Sequence, residues 1–330
     1  MPRVEHDYPI SERENFLRAF RHEKPKYVPC LFHASQYVYP SAYDKGFPDG
    51  DHDGQDWFGV NFVYEESQKS VTPRPPFLLN DITEWREKIK WPDLKSKDWK
   101  ADLPTFQRKE NLALASRCLG YGTFEQLHCF EGFEQCLLDM LTEPEECAEF
   151  FNYLTDFKIE LFQLQNDAYH FDYMCHNDDW SAARGQMFSC EMFEELLLEP
   201  HIRISEAIRS TGCHYMLHTC GKMEAFIPYI VNDIKAELIQ IQTLNDIERI
   251  MDEHGDKVTV EFAPDPTIMY NPKTTAEEAR EYARSLVDRY GAHKKKGSGL
   301  VIHLIGNKPE SFYAFEDELF EYSRKMYRDL

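Results

Sequence analysis

A histidine and a cysteine lie two positions apart in the stretch MLHTCGKMEAF, at His218 and Cys220. Because alternate residues of a β-strand point to the same side, both side chains can reach one point while Thr219 points away. An imidazole and a thiolate are ligands that suit zinc, and Gly221 permits a sharp turn directly after the cysteine. The pattern indicates a metal site, and the alternative is a pair of buried strand residues.

A second polar group follows another apolar run, in HFDYMCHNDDW. His176, Asp178 and Asp179 come at the end of this run, so they are candidates for the catalytic groups. They could hold a ligand, supply a third metal ligand or act as general acid. The alternative is a solvated loop whose carboxylate caps a helix.

Two later apolar runs carry titratable side chains. Glu261 lies between VTV and FAPDP, and a carboxylate buried there needs a metal ion or a hydrogen-bond donor as its partner. His303 lies inside VIHLI, where it could approach the same region or remain a core residue. Both residues are therefore candidates for the site that contains His218.

Residues in both halves of the chain are candidates for substrate binding. Tyr37 and Trp57 could line a pocket for a flat apolar substrate, or they could pack in the core. His33 ends the first apolar run, and Gln242 ends the run AELIQIQ. We assign these four residues and His303 to a substrate pocket.

The elements that must position these residues are eight apolar runs of strand length. They span 27–33, 59–66, 115–122, 170–180, 213–218, 236–242, 257–262 and 299–305. A helical pattern or a long connection follows each run, which is typical of βα units around a parallel sheet. We predict an α/β fold, a single (β/α)8 TIM barrel over 1–330 with 1–26 as an N-terminal helical arm. Reacting groups would then collect at the C-terminal ends of the strands.

A doubly wound open sheet is the alternative architecture, but no glycine-rich dinucleotide fingerprint follows the first run. The net charge of −21 opposes binding to nucleic acid or to an anionic membrane. No apolar stretch approaches the roughly 20 residues of a membrane span, and the N-terminal stretch lacks the apolar core of a secretory signal. We therefore expect a cytoplasmic protein. Its nine scattered cysteines predict reduced thiols rather than a disulfide framework.

The order of these segments resembles the uroporphyrinogen decarboxylase superfamily, and within it the branch of corrinoid-linked methyltransferases. The resemblance rests on SERENFLRAFRHEKPKYVP at the start, on NDDW and MFSCEMFEELLLEPHIRI after the fourth run, on LHTCGK at the fifth and on FAPDP after the seventh. It implies a (β/α)8 barrel. The decarboxylases resemble one another in an arginine-containing R-Q-A-G-R-Y segment that grips substrate carboxylates. This chain reads FHASQYVYP there, without arginine, which favours the methyltransferase branch.

That branch implies a zinc ion held by the H-x-C pair, here His218 and Cys220, and in members that activate a thiol by a further cysteine near the last strand. This chain has no cysteine after Cys220. The third place would fall to another side chain, and the candidates are Glu261, His303, Gln242 and the Asp178/Asp179 pair. We assign Glu261 to the metal site.

The missing thiolate favours a particular methyl donor. Each thiolate donates charge to zinc, so a site with one thiolate should be the stronger Lewis acid and should suit the oxygen of a methyl ether. We hypothesise methyl transfer from such an ether, for example a methoxylated aromatic, to the Co(I) of a corrinoid protein. The protein itself could form a homodimer. The alternatives are a lyase that acts on another carboxylated substrate, or a barrel that binds a corrinoid or tetrapyrrole without catalysis.

Overall fold

The structure, a computed structural model, describes residues 6–44, 52–67, 69–304 and 310–330. Its strands are β1 (Ser35–Tyr37), β2 (Gly54–Gln55), β3 (Asn61–Glu65), β4 (Ser70–Pro73), β5 (Ala113–Ser116), β6 (Tyr173–Asn177), β7 (Ser181–Ala182), β8 (Gly185–Gln186), β9 (His214–His218), β10 (Leu238–Gln240), β11 (Thr259–Phe262) and β12 (Leu300–Ile302). Its helices are α1 (Glu12–Phe20), α2 (Leu31–Ala34), α3 (Trp85–Lys88), α4 (Thr123–Glu131), α5 (Phe133–Thr142), α6 (Pro144–Tyr169), α7 (Cys190–Leu196), α8 (Leu198–Arg209), α9 (Ile227–Tyr229), α10 (Ile247–His254), α11 (Pro266–Met269), α12 (Ala276–Tyr290) and α13 (Glu310–Met326).

Seven of these strands form one parallel sheet in the order β1-β5-β6-β9-β10-β11-β12. The sheet curls so that its last strand approaches the segment before its first. The backbone N–H of Ile302 donates to Pro29 O at 3.0 Å, and Cys30 forms a parallel bridge with Ile302. The parallel α/β architecture is thus confirmed as a half-barrel, and its sheet has seven strands within the described residues rather than the predicted eight.

The run 59–66 is not a strand of the parallel sheet. Its central part, β3, pairs antiparallel with β2 and β4 in a separate three-stranded sheet. Strands of a parallel barrel are buried on both faces, whereas only Phe62 of β3 is fully buried. Polar residues such as Asn61 and Glu65 suit a sheet that is partly exposed. The prediction that this run is a strand of the parallel barrel was therefore wrong.

The first and third runs also differ from their predicted positions. In 27–33 the backbone N–H groups of His33 and Ala34 donate to Cys30 O at 3.1 and 3.0 Å, so the chain closes the helical turn α2 before β1 begins. In the third run β5 starts two residues early and ends at Ser116. Arg117 therefore lies just beyond the C-terminal end of a strand, where the prediction had placed it inside one.

Helix α1 closes the N-terminal end of the half-barrel. The rings of Phe16 and Phe20 pack against Tyr173 at centroid distances of 5.5 and 5.2 Å. The Thr259 hydroxyl donates to Ala19 O at 2.7 Å, which ties the start of β11 to the same helix. Because apolar side chains fill this end, space for polar chemistry is left at the opposite end, where the strands finish.

The nine cysteines are all free thiols, as the sequence predicted. Four of them (Cys118, Cys129, Cys136 and Cys147) lie in the core around α4 to α6. Among the helices of the described residues, none combines the length and apolarity needed to cross a membrane.

The packing of α1 predicts the effect of a core truncation. Phe16 is fully buried, whereas Phe133 on α5 is 44% exposed. We expect Phe16→Ala to lower the free energy of unfolding by about 3–5 kcal/mol, since it removes buried area and leaves a cavity. Phe133→Ala, the matched control, should cost about 1 kcal/mol or less. Chemical denaturation of both variants measures this, and equal losses would contradict the proposed role of α1.

Candidate metal centre

Four polar side chains form one row across the C-terminal ends of neighbouring strands. Strand pairing sets Asn177 beside His218, His218 beside Gln240, and Gln240 beside Glu261. In-register residues of a parallel sheet point to the same face, so these side chains share one level of the inner surface. We call this set the polar row.

Asp179, His218 and Cys220 bring three potential metal ligands together. One ligand atom from each residue lies within 4.8 Å of the other two, and all three residues are partly exposed. The Sγ atom of Cys220 lies 3.5 Å from Nε2 of His218. Tetrahedral zinc with ordinary Zn–N and Zn–S bonds separates such a pair by about 3.6 Å. The donor set therefore fits zinc, with Asp179 as the third ligand that the structure brings near.

Gln240 determines which nitrogen of His218 is available. The Nδ1 atom of His218 lies 2.6 Å from Oε1 of Gln240, and this amide oxygen can only accept a hydrogen bond, so Nδ1 carries the proton. Burial, with repulsion from Arg117, lowers the pKa of His218 to about 4, so the ring is neutral at physiological pH. The lone pair of Nε2 consequently faces Cys220, as a metal-ligating histidine requires.

A tight turn presents the cysteine. Gly221 has φ +81°, and a Cβ atom there would lie 2.2 Å from Ser181 O, so only glycine fits. The backbone N–H of Cys220 donates to Asp179 Oδ1 at 2.6 Å, and that of Gly221 donates to Gln242 Oε1 at 3.1 Å. Asp179 and Gln242 therefore fix the backbone on both sides of the thiol.

Negative charge accumulates beside the thiol. Burial and the neighbouring Asp179 raise the pKa of Cys220 to about 12. Burial and the charge of Asp178 raise the pKa of Asp179, although the N–H of Cys220 opposes this shift. Burial and Asp179 also raise the pKa of Glu125, well above its ordinary value. A divalent cation would relieve this repulsion, and its binding would displace the thiol proton.

Asp178, the neighbour of Asp179, serves the fold. Its fully buried carboxylate accepts from the backbone N–H groups of Phe124 and Glu125, both at 3.1 Å, and so caps helix α4. Burial alone would raise the pKa of Asp178, but His201, with Nε2 at 3.0 Å, helps to lower it to about 2. A Cβ atom on Gly122 would lie 2.0 Å from this carboxylate, so the approach of strand and helix requires glycine.

His176 points away from the polar row. Its ring is fully buried, Nδ1 lies 3.1 Å from the Tyr215 hydroxyl, and the ring stacks on His201 at 5.3 Å. Burial lowers its pKa well below the ordinary value. Of the three residues predicted as catalytic, Asp179 alone lies beside His218 and Cys220.

Glu261, at the far end of the polar row, lies beside His303. The Oε1 atom of Glu261 lies 3.1 Å from Nδ1 of His303, which in turn lies 2.5 Å from Nε2 of Gln240. Glu261 is fully buried, and burial raises its pKa although His303 opposes the shift. Glu261, which the sequence assigned to the metal, is not a member of the three-ligand group.

A cleft of about 430 Å³ opens beside these residues. His218, Gln240, Gln242 and His303 supply its polar wall, and its apolar wall contains Ile241, Leu244, Pro264 and Pro266. The structure therefore brings two predicted substrate-binding residues, Gln242 and His303, to the same cavity as His218.

The other predicted substrate-binding residues lie outside the lining of this cleft. His33 faces Glu316, with Nδ1 3.1 Å from a carboxylate oxygen. The Tyr37 hydroxyl accepts from Tyr173 at 3.0 Å, and burial raises its pKa. Trp57 packs edge-on against Tyr43 at a centroid distance of 5.0 Å, in the aromatic core outside the sheet.

A model of the uroporphyrinogen decarboxylase (URO-D) family matches residues 127–303, more than half of the chain. The chain belongs to this family. The matched URO-D region begins in α4, ends directly after β12, and contains the polar row and all three potential metal ligands. The family resemblance seen in the sequence is thereby confirmed.

The fold of this URO-D family member is similar to a solved structure, a methyltransferase from Methanosarcina mazei. The TM-score is 0.64, the identity is 11%, and the match covers 95% of this chain and 99% of that chain. At this identity the similarity concerns the fold. A search of curated proteins gave no match.

Two residues near the centre of this URO-D fold were not selected from the sequence. Glu125 lies in the first turn of α4, and Arg117 follows β5 directly. Arg117 Nη2 donates to Asn177 Oδ1 at 3.2 Å and to Gln240 Oε1 at 3.4 Å. The sequence does contain a signal for Arg117, because this arginine directly follows the apolar segment ALAS. A predicted strand that ended at Ser116 would have placed Arg117 at a strand end, among the candidate site residues.

The two adjacent aspartates predict opposite effects of one substitution. Asp178→Asn should lower the free energy of unfolding by about 2–4 kcal/mol, since charge-assisted bonds to α4 are lost, and should leave zinc affinity largely unchanged. Asp179→Asn should leave thermal stability nearly unchanged and should weaken zinc binding at least about tenfold. Thermal unfolding and competition with a zinc chelator measure both effects. Zinc loss in Asp178→Asn alone would contradict this division of roles.

Proposed function

We propose that the protein transfers a methyl group from a methyl ether, such as a methoxylated aromatic, to the Co(I) of a corrinoid protein. The observation that carries the proposal is the convergence of Asp179, His218 and Cys220 at the ends of parallel strands, beside a cleft of about 430 Å³. The similarity in fold to a methyltransferase supports the same branch of the URO-D family.

Zinc suits the three side chains, which offer one carboxylate oxygen, one imidazole nitrogen and one sulfur. When bound, zinc supplies a Lewis acid that withdraws charge from the ether oxygen, and a site with one thiolate leaves the ion more electrophilic than a site with two. The donor set thus favours an ether donor over activation of a thiol.

The protein's own residues position the reactants. Gln240 holds the neutral ring of His218 with Nε2 directed at the Cys220 side, and Asp179 holds the backbone of Cys220. The apolar wall around Ile241 and Leu244 can receive a flat donor and exclude water from its ether bond. The raised pKa of Glu125, which lies outside the three-ligand group, allows this carboxyl group to hold a proton that could pass to the leaving oxygen.

The acceptor side of the reaction involves a partner. We propose that a corrinoid protein docks over the C-terminal ends of the strands, since the potential ligands and the cleft open there. The methyl carbon must lie between its ether oxygen and the cobalt for an in-line transfer. A homodimer and a cytoplasmic location remain part of this proposal.

Anaerobic demethylation assays test the proposal. Purified protein is given zinc, free Co(I) cobalamin and a panel of methoxylated aromatics, and methylcobalamin is followed by its absorbance. We expect Cys220→Ala to lower kcat/KM by about 100-fold or more, since the electrophile that stabilises the leaving oxygen is lost. Zinc content and thermal unfolding, measured on the same samples, separate metal loss from misfolding.

The matched control is Cys190→Ala, which removes another partly exposed thiol at the start of α7. This variant should keep its zinc and its methyl transfer. Full activity in Cys220→Ala would contradict the proposal. Release of carbon dioxide from a carboxylated substrate without metal or corrinoid would support a lyase, and tight corrinoid binding without methyl transfer would support a carrier.

A further inference from the structure

Gln240 contacts two histidines of the same cleft, one through each polar atom of its amide group. Its Oε1 atom lies 2.6 Å from Nδ1 of His218, and its Nε2 atom lies 2.5 Å from Nδ1 of His303. Both histidines line the cleft of about 430 Å³. His218 belongs to the candidate metal centre, whereas His303 lies outside the three-ligand group. The state of the His303 ring therefore depends on how this amide is oriented.

Arg117 fixes the orientation of the amide. Its Nη2 atom donates to Oε1 of Gln240 at 3.4 Å, and a guanidinium has no atom that can accept a hydrogen bond. Reversing the amide would set two donor groups against each other at this contact. The amide oxygen thus faces Arg117 and His218, and the NH2 group faces His303.

The amide imposes opposite tautomers on the two rings. Its oxygen accepts the hydrogen on Nδ1 of His218, which leaves Nε2 of that ring with a lone pair for a metal. Its NH2 group donates to Nδ1 of His303, so this nitrogen supplies a lone pair and Nε2 carries the hydrogen. His303 therefore presents an N–H donor where His218 presents an acceptor.

Glu261 is compatible with this tautomer of His303. Its Oε1 atom lies 3.1 Å from the same Nδ1 atom. Burial raises the pKa of Glu261, and a protonated carboxyl group, like the amide, presents a donor to a nitrogen with a lone pair. A hydrogen on Nδ1 would instead lie against the NH2 group of Gln240, only 2.5 Å away. The geometry thus favours a hydrogen on Nε2.

Nε2 is the nitrogen of His303 that remains for a ligand. Within the described part of the chain, no protein group forms a hydrogen bond with this atom, and the side chain is 15% exposed. His303 lines both the cleft and an adjoining cavity of about 160 Å³. None of the described residues that line the cleft is a lysine, arginine, aspartate or glutamate. An N–H donor in such surroundings suits a neutral oxygen acceptor better than an anion.

The two rings are close enough for one small molecule to contact both. The path between them runs through the amide C=O and C–N bonds of Gln240, about 1.23 and 1.33 Å long. By addition, the two Nδ1 atoms are at most about 7.7 Å apart. An arene with oxygen substituents on two ring carbons is of similar size. One oxygen can lie at the potential metal ligands while the other lies at His303.

We propose that Nε2–H of His303 donates a hydrogen bond to a second oxygen of the methyl donor. The inference rests on the proposed function and deepens it, because it narrows the substrate class to methoxyarenes with a further neutral oxygen substituent. A hydroxyl group or a second methoxy group meets this requirement. A donor without the second oxygen leaves the N–H group unpaired when it fills the cleft, which lowers its affinity. His303 is thus a specificity-determining residue.

Isothermal titration calorimetry measures binding separately from turnover. Anisole, which has one oxygen, is compared with 2-methoxyphenol, 3-methoxyphenol and 1,2-dimethoxybenzene on protein supplied with zinc and on metal-free protein. We expect at least one of the compounds with two oxygens to bind about 10- to 100-fold more tightly than anisole. His303→Leu should remove this preference and bind anisole as the wild type does. His303→Gln keeps an N–H donor and should retain part of the preference.

His254→Leu is the matched control, since it removes another partly exposed histidine, at the end of α10. It should keep the preference of the wild type. NMR spectroscopy of protein with isotopically labelled histidine tests the tautomers, and we expect the hydrogen on Nδ1 in His218 and on Nε2 in His303. The His303→Leu variant assigns the second signal, and thermal unfolding identifies any variant that misfolds.

Three results would overturn the inference. The first is wild-type protein that binds none of the compounds with two oxygens more tightly than anisole. The second is a preference that survives in folded His303→Leu, and the third is a neutral His303 ring with its hydrogen on Nδ1. Methyl transfer from anisole would in each case leave the proposed function in place. A preference that depends on His303, without methyl transfer from any donor, would instead support this binding role and contradict the methyltransferase.

Discussion

The hydrogen bond between Gln240 and His218 is the contact on which the candidate site depends. It leaves Nε2 of His218 unprotonated and directs it at the Cys220 side chain, 3.5 Å away. Strand pairing makes this possible, since β9 and β10 set the two residues side by side on one face of the sheet. The same amide also contacts Arg117 and His303. One neutral side chain thereby connects the potential metal ligands, the positive charge and the cleft.

Carboxylates near the site divide into structural and available groups. Asp178 and Asp172 are fully engaged, one with the start of α4 and the other with two arginines, and such charge-assisted bonds stabilise the fold. Asp179 accepts a hydrogen bond from the backbone N–H of Cys220 but stays partly exposed in a cluster of acidic groups. This repulsion costs stability in the absence of a cation and favours metal binding when a cation is present. Repulsion among these acidic groups therefore both favours metal binding and lowers the stability of the metal-free protein.

The sequence predicted those features that depend on the spacing of neighbouring residues along the chain. The H-x-C pair was recognised because alternate strand residues share a face, and the later strands were placed correctly because buried parallel strands read as short apolar runs. Contacts between segments that are distant along the chain could not be predicted from the sequence. Which aspartate of the pair caps α4 depends on Gly122 and Phe124, more than 50 residues earlier. Arg117 was missed because the predicted run continued to residue 122, whereas β5 ends at Ser116, so the prediction placed Arg117 inside a strand and not at its end.

X-ray absorption at the zinc edge of protein reconstituted with one equivalent of zinc tests the central claim most directly. The account predicts a single sulfur neighbour at about 2.3 Å and nitrogen or oxygen neighbours at about 2.0–2.2 Å, since Cys220 is the one thiol in the group. The same spectrum recorded on Cys220→Ala should contain no sulfur neighbour. Two or more sulfur neighbours, or zinc surrounded by oxygen alone in the wild type, would contradict a centre built from Asp179, His218 and Cys220.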